Sequence, residues 1–276
     1  MLVPLLMALV CSASPSPLSR DENDERLRVC GAKPTWSTAQ RSIYGGAVST
    51  YRDAPWSVMM LFNGRLCSGS WISPRHILTA SHCALRNAVH ASATVATCQD
   101  GDAIYENGVR GVEIWNSDWS RVNVKPAKLF VFGACHGFDY QRDDMMIMEL
   151  EHNVHFYEGA WPVCVANDTT FTPPGTRTHL YSYGHNALAV DTPNTSDDVT
   201  LRYGWFDVLA ELGTFIQSRN LNGVAARPGD SGGGHMVHRN GRIYAVAVVS
   251  HDWDGGYYAA TVGYYHSRIC SLTGIC

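Results

Sequence analysis

The sequence predicts an all-β fold, as a sandwich or as barrels, for three reasons. Short runs rich in β-branched and aromatic residues recur between glycine, proline and asparagine, as strands and turns do. These runs are APWSVMMLF, RHILTA, GVEIW, AKLFVF, MMIMEL, THLYSY and RIYAVAVV. Helical patterns are scarce, and the best candidate is DVLAELGTFIQ at 207–217. Strands do not alternate with long helices, which argues against an α/β fold.

Composition and charge fit a globular protein. A chain of 276 residues is long enough for about two domains. Its residues are 45% hydrophobic and 17% charged, which allows sizeable cores. The formal net charge of -4 and the lack of a basic run argue against nucleic-acid binding. After the first residues no apolar segment approaches transmembrane length, so we expect a soluble protein without a membrane partner.

The first residues have the pattern of a secretory leader. MLVPLLMALVCSA is apolar but too short to span a bilayer, and Ser12, Ala13 and Ser14 supply a small-residue cleavage site. A polar run, SRDENDER, follows. This favours a signal peptide at 1–13 over a buried strand or helix, and therefore a secreted, extracellular protein. Residues 14–42 are polar and contain several prolines, which is typical of a pro-segment.

The cysteines agree with export. Of nine cysteines, eight follow the leader, and an even set in an exported chain predicts disulfides. Paired C-x-x-C spacings are missing, which makes a metal site the weaker interpretation, and we expect no metal or other cofactor. Asn167 and Asn194 each begin an N-x-S/T tripeptide, so both are candidate glycosylation sites.

Ser231 lies in the glycine-rich stretch GDSGG at 229–233. Glycines let successive N–H groups approach one bound carbonyl oxygen, as an oxyanion hole for acyl transfer requires. The same letters fit the G-x-S-x-G elbow of α/β-hydrolases, whose acid and histidine follow the serine. Here the residues after Ser231 read as strands, and the helices that an elbow needs are missing. We therefore reject the elbow.

Two candidate partners lie upstream of Ser231. CSGSWISPRHILTASHC at 67–83 brings His82 to the end of a half-buried strand. DDMMIMEL at 143–150 places Asp144 directly before a strongly apolar strand. A carboxylate that enters a core there needs a partner, and the N–H of a neutral histidine is suitable.

The order His82, Asp144, Ser231 and its context resemble the chymotrypsin/trypsin family of secreted serine proteases. TASHC is similar to the family's TAAHC, DDMMIMEL to NDIALLKL, and GDSGG is its serine motif unchanged. Further similar landmarks are IYGG at 43–46, APW at 54–56, PVC at 162–164 and VVSH at 248–251. The resemblance covers about residues 30 to 266, and its loops suggest an invertebrate, nematode-type branch. It implies two six-stranded antiparallel Greek-key β-barrels, at 43–160 and 161–276, with a catalytic cleft between them.

The resemblance also implies a chemistry. Ser231 would be the nucleophile, His82 the general base and Asp144 the group that orients the histidine, while the N–H groups of Gly229 and Ser231 would form the oxyanion hole. The chain would be a monomeric serine endopeptidase that acts on protein or peptide substrates and meets protein inhibitors. The alternative from another class is a catalytically silent homologue that acts as a binding or regulatory protein.

Activation follows the same resemblance. Cleavage would free the ammonium of Ile43 to pair with Asp230, so the chain would be made as a zymogen and need an activating protease. The local sequence is Arg41-Ser42-Ile43, without a basic residue directly before Ile43. We expect either cleavage after Ser42 or removal of Ser42 by an exopeptidase. The alternative is that no activation occurs.

The residues that would line the substrate pocket differ from those of the family. The position at the base of the substrate pocket is Ala225, which cannot pair with a basic side chain, so we expect a specificity that is not trypsin-like, with preference for apolar or small residues. Ser250, His251 and Asp252 would form the substrate strand, where His251 replaces the usual tryptophan. Asp252 and Asp254 leave open a preference for basic substrate side chains, which these carboxylates would bind from the wall of the pocket.

The resemblance also suggests disulfides. Cys30–Cys164 would tether the pro-segment, and Cys67–Cys83 would flank the histidine turn. Elimination leaves Cys98–Cys135 and Cys270–Cys276, and Arg227 stands where the family has a further cysteine. We expect the chain to stop without the family's C-terminal helix.

Overall fold

A computed structural model describes residues 16–32, 47–136, 143–157, 159–184, 199–221, 227–253 and 255–276. Most of its regular structure is strand, in two mainly antiparallel sheets. The predicted all-β class is confirmed, and each of the seven β-type runs contains a strand. The signal peptide at 1–13 and the IYGG segment at 43–46 lie outside the described residues.

The described part of the predicted pro-segment, residues 16–32, is a folded element that we call the strap. It contains helix α1 (Arg20–Val29), which begins with a capping box between Ser19 and Glu22. The N–H of Leu18 donates to the carbonyl of Thr273, and the N–H of Gly31 donates to that of Pro162, both at 2.8 Å. The strap therefore packs on the folded chain from its first residues to its last. The chain resumes at the short strand β1 (Ala47–Val48).

The first sheet has eight antiparallel strands in the spatial order β5-β6-β8-β9-β4-β3-β2-β7. They are β2 (Ser57–Phe62), β3 (Arg65–Ser73), β4 (His76–Thr79), β5 (Thr94–Gln99), β6 (Asp102–Glu106), β7 (Val112–Asn116), β8 (Pro126–Val131) and β9 (Met146–Leu150). The hairpin β5–β6 adds two strands to the six that the sequence predicts for this half. A short helix, α2 (Ser81–Leu85), follows β4.

The second sheet closes into a six-stranded barrel. Its strands are β11 (Arg177–Ser182), β12 (Arg202–Glu211), β13 (Phe215–Asn220), β14 (Gly234–Arg239), β15 (Arg242–Trp253) and β16 (Gly256–Thr261). The path β12-β11-β14-β15-β16-β13 returns to its start because β12 also pairs with β13. Two short strands attach to it: β1 pairs with β12, and β10 (Cys164–Val165) runs parallel to β15.

Two sequence-based expectations about helices are wrong. The stretch Asp207–Gln217 is not helical but forms the end of β12, a turn and the start of β13. Gly213 in that turn has a φ of +80°, and the residues of β12 alternate between more and less buried positions, as a half-buried strand does. The chain also ends in a helix, α3 (Val262–Thr273), which buries Tyr265, Ile269 and Leu272 at helical spacing.

One large core joins both sheets and α3, and three smaller clusters of described residues lie apart from it. The large core contains side chains of β2, β3, β4 and β9, of β14 and β15, and of α3. The strap adds Leu18 to it. The eight described cysteines form four disulfides, Cys30–Cys164, Cys67–Cys83, Cys98–Cys135 and Cys270–Cys276, which are the pairs expected from the sequence. In the described part of the chain no helix combines the length and apolar character needed to cross a bilayer.

Candidate active site

Strand pairing brings His82 and Asp144 together. β4 and β9 are neighbours with Thr79 opposite Met146, so the residues after β4 meet those before β9. The Nδ1 atom of His82 lies 2.6 Å from Oδ2 of Asp144, and the backbone N–H of His82 donates to Oδ1 at 2.9 Å. The Asp144 side chain is 2% exposed and that of His82 13% exposed. A carboxylate can only accept, so His82 carries its proton on Nδ1 and leaves Nε2 free to accept one.

A third donor fixes the carboxylate of Asp144. The hydroxyl of Ser250, on β15 of the second barrel, donates to Oδ2 of Asp144 at 2.5 Å. The register of β15 against β16 shifts between Val249 and His251, which bracket Ser250. Such an irregularity re-aims a side chain. Asp144 therefore has partners from both sheets and is held at their junction.

Ser231 lies at the same junction. Its carbonyl accepts a hydrogen bond from the N–H of Ser68, on β3 of the first sheet, at 2.8 Å. The sulfur of Cys83 lies 3.9 Å from that carbonyl oxygen and 4.0 Å from Nε2 of His82, so one sulfur contacts both residues. Among the described residues no hydrogen bond joins the hydroxyl of Ser231 to His82. Such hydrogen bonds are often long in free enzymes and shorten when substrate binds.

The turn around Ser231 requires glycine. Gly232 has a φ of +83°, and a Cβ there would lie 2.2 Å from both the carbonyl oxygen of Ser68 and the hydroxyl of Thr79. Its N–H donates to the carbonyl of Val249 at 2.9 Å. In the described part of the chain the N–H groups of Gly229 and Ser231 have no acceptor. These are the two N–H groups that the sequence predicts as oxyanion donors.

Asp230 is buried, and four neutral groups donate to its carboxylate. The hydroxyl of Ser182 and the N–H of Gly184 donate to Oδ1 at 2.7 and 3.0 Å. The N–H of Arg227 and the hydroxyl of Tyr257 donate to Oδ2 at 2.9 and 3.2 Å. Burial raises the pKa of Asp230, and these hydrogen bonds oppose that rise. Ile43, its predicted partner, lies outside the described residues.

The groups that support Asp230 and Gly229 are not among the residues that the sequence predicts. A Cβ at Gly184 would lie 2.1 Å from Oδ1 of Asp230, so only glycine allows this approach. The hydroxyl of Ser68 donates to the carbonyl of Gly229 at 2.8 Å and accepts from the N–H of Tyr183 at 2.9 Å. Each contact joins residues far apart in the chain, and no local sequence pattern signals it.

The predicted substrate strand is described in part. Ser250, His251 and Asp252 lie on β15, with Nδ1 of His251 3.0 Å from the hydroxyl of Ser250. The ring of His251 packs at 4.9 Å from that of Tyr258 on β16. Ala225, at the expected base of the pocket, lies outside the described residues, as does Asp254.

The remaining predicted sites lie away from this centre. Asn167 is exposed, next to Asp168, which caps a short 3-10 helix at Thr169–Phe171. Asn194 lies outside the described residues. Cys67, His82 and Cys83 cluster as metal ligands do, but the two cysteines form a disulfide and offer no thiolate.

Comparison with known proteins agrees with this geometry. The family model described as Trypsin matches residues 43–267. A solved structure titled "Atomic resolution structure of HBP" is similar to this chain with a TM-score of 0.60. That alignment covers 84% of this chain and 97% of the other at 14% sequence identity. At this identity the likeness shows a shared fold and carries no statement about activity.

Proposed function

Because the chain belongs to the trypsin family, we propose that it is a secreted serine endopeptidase that hydrolyses peptide bonds through an acyl-enzyme. The observation that carries this proposal is the pair of His82 and Asp144 at the junction of the two sheets, beside Ser231. Four disulfides support an extracellular location, because such bridges persist in oxidising compartments.

Each step of the reaction has a group to perform it. The hydroxyl of Ser231 attacks the peptide carbonyl while Nε2 of His82 takes its proton and later gives it to the leaving amine. Asp144 keeps the histidine in the required tautomer and stabilises its cation. The N–H groups of Gly229 and Ser231 bind the oxyanion, and each donor contributes on the order of 3 kcal/mol.

The proposal includes activation from a zymogen. The four neutral donors around Asp230 leave its buried charge without a cation among the described residues, which supports a further, positively charged partner. The ammonium of Ile43, freed by cleavage after Ser42 or by removal of Ser42, supplies that charge. The strap remains attached through Cys30–Cys164. Ala225 supports a preference for apolar or small residues over basic ones.

A second candidate function has an observation in its favour. No basic residue lies directly before Ile43, and Ala225 and His251 depart from the family's residues at the specificity pocket. Both features suit a catalytically silent homologue that binds a protein partner instead of cleaving it.

Reaction with a fluorophosphonate separates the two functions. Processed protein should be labelled, and the label should be lost in Ser231→Ala and in His82→Ala. Ser271→Ala is the matched control, because that serine is exposed on α3, away from the site, and should label as the unaltered protein does. Processed protein that takes no label favours the silent homologue.

A further inference from the structure

A second histidine is joined to the acid of the site by a hydrogen-bonded chain. Nδ1 of His251 lies 3.0 Å from the hydroxyl oxygen of Ser250, and that hydroxyl lies 2.5 Å from Oδ2 of Asp144. On its other side the same carboxylate oxygen meets Nδ1 of His82 at 2.6 Å. The carboxylate of Asp144 therefore stands between two imidazole rings, one contacted directly and one through a hydroxyl.

The direction of each proton follows from the donors and acceptors. Asp144 can only accept, so the single hydroxyl proton of Ser250 points toward it. The oxygen of Ser250 then faces His251 with a lone pair. Nδ1 of His251 must carry a proton to form its hydrogen bond, which fixes the Nδ1–H tautomer of the neutral ring.

Packing holds His251 in this position. Its ring is half-buried and lies 4.9 Å from the ring of Tyr258 at an angle of 33°. In the pairing of β15 with β16, His251 lies opposite Tyr258 and Asp252 opposite Tyr257, so the backbone at His251 and after it is paired with β16. The imidazole thus has a fixed neighbour on one face and the hydroxyl of Ser250 at its edge.

Charged groups from three elements face His251. They are Asp144 before β9, Asp252 on β15, and His82 in the first turn of α2 with Arg86 directly after that helix. Burial lowers the pKa of His251, His82 and Arg86 lower it further, and the two aspartates raise it. Positive charges on His251 and on His82 would repel each other, because one ring contacts Asp144 directly and the other contacts it through Ser250.

We propose that His251 is a positioning residue for the Ser–His–Asp chemistry, acting on Asp144 through the hydroxyl of Ser250. Its Nδ1–H donor polarises the hydroxyl of Ser250 and strengthens the hydrogen bond to Oδ2 of Asp144. The inference rests on the proposed function, because it describes the same catalytic centre.

The test compares two variants of His251, one that keeps a hydrogen-bond donor and one that lacks it. His251→Gln keeps an N–H donor without a titrating ring, whereas His251→Phe keeps a ring against Tyr258 without a donor. His152→Gln is the matched control, since His152 is exposed in the turn after β9. The measurement is the second-order rate of fluorophosphonate labelling across the pH range, which does not depend on peptide specificity.

At the pH of fastest labelling, His251→Phe should label about five- to tenfold more slowly than the unaltered protein, as the loss of one hydrogen bond predicts. His251→Gln should be slowed less, and His152→Gln should be unchanged. Equal rates in the Phe and Gln variants would overturn the proposal.

A second measurement does not need activity. The nitrogen-15 chemical shifts of His251 in the full chain report which ring nitrogen carries the proton. The Nδ1–H tautomer is expected, and it should be lost in Ser250→Ala. The Nε2–H tautomer in the unaltered protein would overturn the proposal. Protein that takes no fluorophosphonate label but shows the Nδ1–H tautomer refutes the endopeptidase and leaves the hydrogen-bonded chain standing.

Discussion

Replacing Arg75 with methionine should destabilise the whole fold, because this arginine joins the strap to a buried charge. The guanidinium is 9% exposed and contacts Glu149 at 3.3 Å, Glu22 at 2.9 Å and the carbonyl of Ser16 at 2.8 Å. The side chain of Glu149 is 1% exposed, whereas that of Glu22 is 41% exposed. The cost of the replacement therefore comes mainly from Glu149, since water can solvate Glu22.

The size of the destabilisation by Arg75→Met depends on the partners that Glu149 keeps. Removing one partner of a buried ion pair costs about 3–5 kcal/mol. Glu149 keeps Nζ of Lys128 at 3.8 Å and Nε2 of His76 at 3.3 Å, which places Arg75→Met at the lower end, about 3 kcal/mol. Adding Glu149→Gln removes the uncompensated charge, so the double variant should recover about 2 kcal/mol.

Urea unfolding of the full chain, followed by tryptophan fluorescence, measures this difference. The unfolding midpoint of Arg75→Met should fall by about 1 M. Arg121→Met is the matched control: its partner Glu113 lies at 3.1 Å, but both side chains are about half exposed, so the loss should stay below about 1 kcal/mol. Equal losses in the two variants, or full stability in Arg75→Met, would refute the role given to the strap.

Four further predictions follow from the site and its surroundings. Asp144→Asn should slow fluorophosphonate labelling on the order of 10⁴-fold, because asparagine favours the wrong tautomer of the histidine. Burial raises the pKa of Asp102 from its ordinary value of 3.8 to about 6. The contribution of Asp102 to the stability of the fold is therefore fully present below pH 3.8 and is lost as the pH rises through about 6. The melting temperature of the unaltered protein should show this loss, and that of Asp102→Asn should not. N-terminal sequencing of active protein should read from Ile43, and a start at Ser42 would contradict the activation scheme. Peptide-library cleavage should show apolar or small residues before the cut, and strict cleavage after Lys or Arg would contradict the argument from Ala225.

Sequence alone predicts the parts of the site that depend on local patterns of neighbouring residues. Asp144 directly before an apolar strand and His82 directly after another are local patterns, and the pairing of β4 with β9 turns them into a contact. The glycines around Ser231 are similarly local, because the turn needs them for its own backbone.

The parts that sequence does not predict depend on distant contacts. The sequence of α3 mixes apolar residues with tyrosines and has no acidic residue in its first turn, so it predicts a helix only weakly. The helix is stabilised by the packing of Tyr265 and Ile269 in the core. The stretch Asp207–Gln217 shows the reverse: its pattern suggests a helix, but β12 and β13 pair with each other as a hairpin and β13 also pairs with β16, so the residues form strands. Hairpin β5–β6 joins the first sheet only through its pairing with β8.

The contact between His251 and Ser250 belongs to the same class. The two residues are neighbours in the chain, and side chains of adjacent strand residues normally point to opposite faces. The irregular register of β15 at this position permits their hydrogen bond. A sequence pattern of strict alternation would have separated them.

The site of fluorophosphonate attachment tests the central claim most directly. Protein that begins at Ile43 should be treated with the reagent, digested and mapped by mass spectrometry. One adduct on the hydroxyl of Ser231 is the predicted result, because the sulfur of Cys83 contacts both Ser231 and His82 and so places the serine beside the histidine. Unmodified Ser231 in protein with that N-terminus would contradict the claim that this trypsin-family chain is an endopeptidase.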